Sequence, residues 1–183
     1  MPKGKGKKKV CLETEFIAVS LPLGKLKGPL CRDVGEVFDA DAAHEIVFNH
    51  VFKSSGNSVP LNVVFANPRD LHLSRKDALI LAGEFGFRPA MDPEVCEALK
   101  TASAVHFNEL FRVSKIIRGN AGIHAPVESM ALVGHGSHVK SEIGDLAPVR
   151  ELFRFGLRHR LHLRLFNPEQ SVPPGQMLSL VYQ

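Results

Sequence analysis

Alternation of apolar and polar residues with a period of two recurs along this chain, and it predicts a β-sheet. The clearest case is residues 157–165, where leucines alternate with arginines and histidines. Residues 177–182 form the expected partner strand, because only the Pro- and Gly-containing connection 167–175 separates the two segments. The C-terminal part of the chain is therefore predicted to contain an antiparallel pair of strands.

Three further segments show strand character. Residues 14–21 alternate and are followed by Pro22, which indicates the end of a strand or an edge position in the sheet. Residues 61–65 alternate in the same way, and a shorter strand is expected at 130–133. The whole pattern predicts an antiparallel sheet of about five strands.

Helical spacing of apolar residues lies between these segments. Ser74 is a suitable N-cap for a helix that reaches Gly86, and the Asp92-Pro93 pair is a typical helix start. A further helix is expected from Asp41, and a helical turn over residues 33–38. Residues 107–117 are compatible with either a helix or a strand.

Residues 119–147 hold five glycines and one proline and are expected to form a long loop apart from the short strand. Strands and helices do not alternate regularly, so a parallel βαβ arrangement is not expected. The fold class predicted is α+β, with two or three helices packed on the antiparallel sheet. Residues 10–183 are expected to form one globular domain.

The positive charge is concentrated at the N-terminus. The chain carries a formal net charge of +4, and a lysine-rich arm (residues 1–9) contributes +5 of it through Lys3, Lys5, Lys7, Lys8 and Lys9. The remaining 18 basic and 19 acidic residues leave the body at −1. Like-charge repulsion and glycine entropy predict a disordered arm that binds a polyanion, either an acidic membrane or RNA.

A second basic feature is the cationic stripe (Arg158, Arg160, His162 and Arg164) of the strand at residues 157–165. Period-two geometry places these residues on one face over about 20 Å, opposite the leucines. Arg158, Arg160 and Arg164 are candidates for contacts with phosphate or with a neighbouring subunit. The alternative is a solvated sheet face with partners across the strands, such as Glu169.

No catalytic or metal-binding pattern stands out, so neither an enzyme activity nor a cofactor is expected. The phosphate-binding loops, the zinc-protease motif and the nucleophile elbow are missing. His135 and His138, with His124 nearby, lie in a glycine-rich stretch without a third ligand at helical spacing. Three widely spaced cysteines predict reduced thiols in a cytosolic setting, and no signal peptide or membrane-spanning run is apparent.

The chain resembles the matrix proteins of rhabdoviruses, most closely the plant-infecting, cytorhabdovirus-like kind. The similarity lies in the lysine arm, in the pieces 15–19, 31–37 and 51–56, and in residues 148–157 with the strand that follows. The proline-tyrosine budding motif of many animal members is missing, and so is their C-terminal helix.

The resemblance implies a non-enzymatic structural protein that self-associates, binds the inner face of the viral envelope and condenses the ribonucleoprotein during budding. Its implied partners are the anionic membrane, the nucleocapsid with its RNA, further copies of itself and a glycoprotein tail. It would lie beneath the envelope in the virion and in the host cytoplasm at the membrane periphery. The five arm lysines are the residues to which the resemblance gives membrane or nucleocapsid contacts. The alternative function is an RNA-binding capsid or nucleocapsid protein, although a jelly roll needs more strands than the pattern provides.

Because residues 1–9 have no apolar periodicity, removing them is expected to leave the thermal unfolding midpoint nearly unchanged. Circular dichroism of the whole and the truncated chain would measure this. A fall of many degrees after truncation would show that the arm is part of the folded domain.

Overall fold

The computed structural model describes residues 12–22, 37–38, 62–133, 136, 139–141, 144–155, 158–166 and 174–182. The lysine arm, the helix expected from Asp41 and the first part of the turn expected at residues 33–38 lie outside these ranges. Residues 37 and 38 were expected to be helical, and they form a strand instead.

The described ranges contain four helices and nine strands. The helices are α1 (Leu12–Glu15), α2 (Arg75–Glu84), α3 (Asp92–Thr101) and α4 (Ala104–Asn120). The strands are β1 (Phe16–Pro22), β2 (Val37–Phe38), β3 (Asn62–Pro68), β4 (Phe87–Pro89), β5 (Ser129–Val133), β6 (Val139–Ser141), β7 (Gly144–Phe155), β8 (Arg158–Phe166) and β9 (Gln176–Tyr182).

The strands form a mostly antiparallel sheet in the order β1-β3-β9-β5-β7-β8-β2, with β4 paired to β9 and β6 paired to β7. Two of the pairings, β5 with β9 and β2 with β8, are parallel. The predicted α+β class is confirmed. The sheet is larger than the sheet of about five strands that was expected, because β4, β6 and the first half of β7 have no clear alternation in the sequence and β2 lies where a helical turn was expected.

Helices cover both faces of the sheet. Alternate residues of β9 show this arrangement: Met177 and Val181 pack with α3 and α4, whereas Leu178 and Leu180 pack with α2. All four side chains are fully buried, and β9 is therefore a central strand with two apolar faces. A strand that is buried on both faces carries apolar residues at consecutive positions, and this explains why the sequence of β9 lacks the alternation of a half-buried strand.

The expected pairing between residues 157–165 and 177–182 is wrong, although both segments are strands. β8 pairs with β7 and β2, and β9 pairs with β3, β4 and β5. Strand β7 occupies part of the expected long loop, in which β6 also lies. One neighbour of β8 is thus β7, the strand that precedes it in the chain.

Other local predictions are confirmed. Ser74 caps α2, accepting a hydrogen bond at Oγ from the Asp77 N–H at 3.1 Å. α3 begins at Asp92, and β1 ends at Pro22 on the outer side of β3. Gly86, just after α2, has φ +84°, a left-handed conformation that suits glycine at the end of a helix.

The ambiguous segment 107–117 is helical, as part of α4. Leu110, Phe111, Ser114 and Ile117 recur at spacings of three or four residues and are buried against the sheet. Burial of this helical face outweighs the β-branched residues near the end of the segment, which had favoured a strand.

Two arginines from the sheet fix the first turn of α3. Arg150 of β7 makes a bidentate ion pair with Asp92, with Nε–Oδ1 and Nη2–Oδ2 distances of 2.9 and 2.6 Å, and both side chains are buried. Arg88 of β4 makes a second bidentate pair with Glu94, which also accepts the Met91 N–H at 2.8 Å. The hydrogen bond to Glu94 raises the pKa of Arg88 above its ordinary value. These first-turn carboxylates also face the positive end of the helix dipole.

Gly136 lies against the chain just before α3. Its N–H donates to the carbonyl of Ala90 at 2.8 Å, and a Cβ at this position would stand 2.8 Å from backbone atoms of Pro89 and Ala90. Ala90 in turn donates its N–H to Ser179 of β9. Glycine is therefore required here by close backbone approach, not by its conformational freedom.

We predict that Arg150→Met lowers the free energy of unfolding by about 3–5 kcal/mol, because it leaves the buried Asp92 carboxylate without its bidentate guanidinium partner. The double variant Arg150→Met/Asp92→Leu should recover much of the loss, since it removes both charges. Urea unfolding followed by circular dichroism measures both values.

The exposed pair between Glu109 and Arg112 provides the control, and Glu109→Gln should leave the unfolding midpoint nearly unchanged. An Arg150→Met variant as stable as the unaltered chain would show that the buried pair does not hold α3 on the sheet.

Candidate polyanion-binding groove

One face of α4 carries three exposed polar or basic residues and, at its inner edge, the buried Phe111. Asn108, Phe111, Arg112 and Lys115 follow the i, i+3, i+4, i+7 spacing that places residues on one face of a helix. Phe111 is buried, whereas the other three side chains are exposed. This face forms one wall of a surface groove.

The opposite wall comes from residues 124–128, which connect α4 to β5, and from the end of β7. Val127 is buried in the core and anchors the connection, so that His124 and Glu128 stay at the surface. The Arg154 N–H of β7 donates to the Glu128 carbonyl at 2.8 Å and fixes the two elements together. The groove between these walls has a volume of about 780 Å³.

Arg154 lies over the floor of the groove. Its guanidinium carbon is 4.8 Å from the centre of the Phe111 ring, within the range of a cation–π contact. This contact holds the guanidinium over the aromatic ring. The side chain remains exposed to solvent.

The groove has an excess of positive charge. Arg112, Lys115 and Arg154 line it, against the single carboxylate of Glu128. Arg112 also donates to Glu109, through Nε to Oε2 at 2.8 Å and through Nη2 to Oε1 at 2.5 Å. These hydrogen bonds raise the pKa of Arg112 and lower the pKa of Glu109. Glu109 thus stays ionised and offsets part of the charge of Arg112.

The sequence-predicted residues are distributed differently. Lys3, Lys5, Lys7, Lys8 and Lys9 lie outside the described ranges. Arg158, Arg160 and Arg164 belong to β8 as expected, and the backbone register pairs them with Phe155, Phe153 and Val149 of β7. Arg154 of β7 pairs instead with His159, at a position that alternates with the partners of the stripe. Alternate positions of a strand face opposite sides of the sheet. The stripe positions and the groove therefore belong to opposite faces of the sheet.

The histidines considered as metal ligands are not brought together in the described ranges. His124 is exposed at the groove, and His135 and His138 lie outside those ranges. Among the residues that the structure describes, no three His, Cys, Asp or Glu side chains are close enough to hold a metal ion.

The groove was missed from the sequence because Arg154, in a strand, lies about 40 residues along the chain from Phe111 and Arg112, in a helix. The tetrapeptide Glu-Leu-Phe-Arg occurs at 109–112 and again at 151–154. Its first copy supplies Phe111 and Arg112, and its second copy supplies Arg154. The two copies adopt different secondary structures, so they are not a structural repeat, yet their ends meet at this site.

Comparison with known proteins found no family model, no curated protein and no solved structure that matches this chain. The likeness to rhabdovirus matrix proteins therefore stands on the residues quoted above. In the described ranges, every helix is too short or too polar to span a bilayer.

Proposed function

We propose that this protein is a viral matrix protein, a structural protein that binds the anionic inner face of an envelope and condenses the ribonucleoprotein. The observation that carries the proposal is the separation of charge along the chain. Five lysines stand within the first nine residues, while the rest of the chain sums to −1. A near-neutral body with a concentrated cationic arm suits multivalent, salt-sensitive contact with polyanions.

The arrangement of charges in the body supports a structural role. The buried carboxylates of Asp92 and Glu94 are engaged by Arg150 and Arg88, where they fix a helix on the sheet. Helices on both faces of the sheet also differ from the two packed sheets of a jelly roll. This layering favours the matrix function over the capsid alternative.

Replacing Lys7, Lys8 and Lys9 with glutamine should weaken binding to anionic vesicles by about tenfold or more. Each lysine near an anionic leaflet contributes about 1 kcal/mol before salt screening is taken into account. Vesicle flotation at two salt concentrations measures the effect, with neutral vesicles for comparison. Lys76→Gln, an exposed lysine on α2, provides the control outside the arm. Equal flotation of the triple variant and the unaltered chain would contradict the proposal.

The protein is also expected to self-associate, more strongly at low salt, because a basic arm has a slightly acidic body to bind on the next copy. Such head-to-tail contacts do not close and extend into layers or chains. The cationic stripe on β8 would contribute either to this contact between copies or to binding of the nucleocapsid.

Arg160→Glu/Arg164→Glu separates these two roles. Loss of light scattering at low salt with intact RNA binding would assign the stripe to assembly. Intact scattering with loss of co-sedimentation with ribonucleoprotein would assign it to the nucleocapsid. If both properties persist, the stripe is a solvated sheet face and has neither role.

A further inference from the structure

The shape of the groove beside α4 limits what it can bind. A recess of about 780 Å³ is the size of a site for a small molecule or for a unit of an extended chain. Its basic residues line the walls, and Phe111 closes the floor. A flat bilayer surface does not enter such a recess, whereas a flexible polyanionic strand does.

The chemistry of the walls suits phosphate. Lys115 provides a compact ammonium, and Arg112 and Arg154 provide guanidinium donors that match phosphate oxygens. Three cations line the groove against one lining carboxylate, Glu128, on the wall opposite α4, and Glu109 offsets part of the charge of Arg112. The positive charge is therefore greatest along α4, where a phosphate chain can follow the helix.

The floor adds a second type of contact. The Arg154 guanidinium carbon lies 4.8 Å from the centre of the Phe111 ring, and the Arg154 side chain is exposed to solvent. An exposed guanidinium held over an aromatic ring is suited to stacking on an unpaired base, since arginine and aromatic planes are the usual stacking surfaces for single strands. A double helix keeps its bases stacked on one another and offers none for this contact.

The geometry points to a binding site for single-stranded nucleic acid in this groove, with Arg112 and Lys115 on phosphates and Arg154 stacked on a base. The site belongs to the folded body and goes beyond the role proposed for the lysine arm. It does not depend on the arm, and the expected recognition is of the backbone and of base planes, without sequence preference.

The first test uses the full chain and a fluorescein-labelled short oligouridylate in an anisotropy titration. Lys115→Glu should weaken binding by roughly tenfold, because a cation next to the phosphates becomes an anion. Lys76→Glu is the matched control, since it changes the net charge equally at an exposed site of α2, on the opposite face of the sheet. Its effect should be at most about twofold at physiological salt, where screening acts over roughly 8 Å.

A second variant should change the affinity in the other direction. Glu109→Gln removes the carboxylate that holds Arg112 through two hydrogen bonds and adds positive charge at the groove. It should tighten oligouridylate binding by a few-fold, and a merely destabilised protein would not show such a gain. The exposed location of the pair keeps the fold intact.

Three results would overturn the inference. Equal losses for Lys115→Glu and Lys76→Glu would mean that only net charge matters. A Lys115→Glu variant that loses binding to anionic vesicles and keeps its affinity for oligouridylate would make this face a membrane contact. If the Glu109→Gln variant binds oligouridylate as strongly as the unaltered chain or more weakly, Arg112 is not part of the site. None of these results bears on the vesicle test of Lys7, Lys8 and Lys9, so the two proposals fail separately.

Discussion

The buried ion pair between Arg150 and Asp92 connects the parts of the molecule on which the rest of the structure depends. It fixes the start of α3 to β7, in the interior of the protein, and the Arg88–Glu94 pair secures the same turn to β4. α4 begins three residues after α3 ends, so the position of α3 determines where α4 starts. Since α4 forms one wall of the groove and β7 supplies Arg154 to it, this pair also sets the geometry of the groove.

The distribution of charge divides the chain into parts with different tasks. In the body, the buried charged groups are used to hold a helix on the sheet, where they are desolvated and contribute little to attraction at a distance. In contrast, the basic residues at the groove are exposed, and those of the arm stand in a sequence without apolar periodicity. We therefore view the protein as a near-neutral scaffold with local cationic surfaces.

Local signals allowed several elements to be predicted. Ser74, the Asp92-Pro93 pair and Pro22 mark boundaries because caps and prolines act through neighbouring residues.

Strand pairing was not predictable in the same way. Leu178 lies between Ala66 of β3 and Val133 of β5, and no local pattern carries that information. The groove was missed for a related reason, since Arg154 meets Phe111 only after a helix and a strand are packed together. Arginine is mostly exposed in proteins, and Arg150 is a core residue only through its partner 58 residues away.

The salt dependence of single-strand affinity tests the central claim, that arm and groove are separate cationic surfaces on a neutral scaffold. Five arm lysines and three groove cations predict a slope of about −6 for the logarithm of affinity against the logarithm of salt concentration. Replacing Lys3, Lys5, Lys7, Lys8 and Lys9 with glutamine in the full chain should reduce the slope to about −2, the share of the groove. A slope that the five replacements leave unchanged, or one that they bring to zero, would contradict the account.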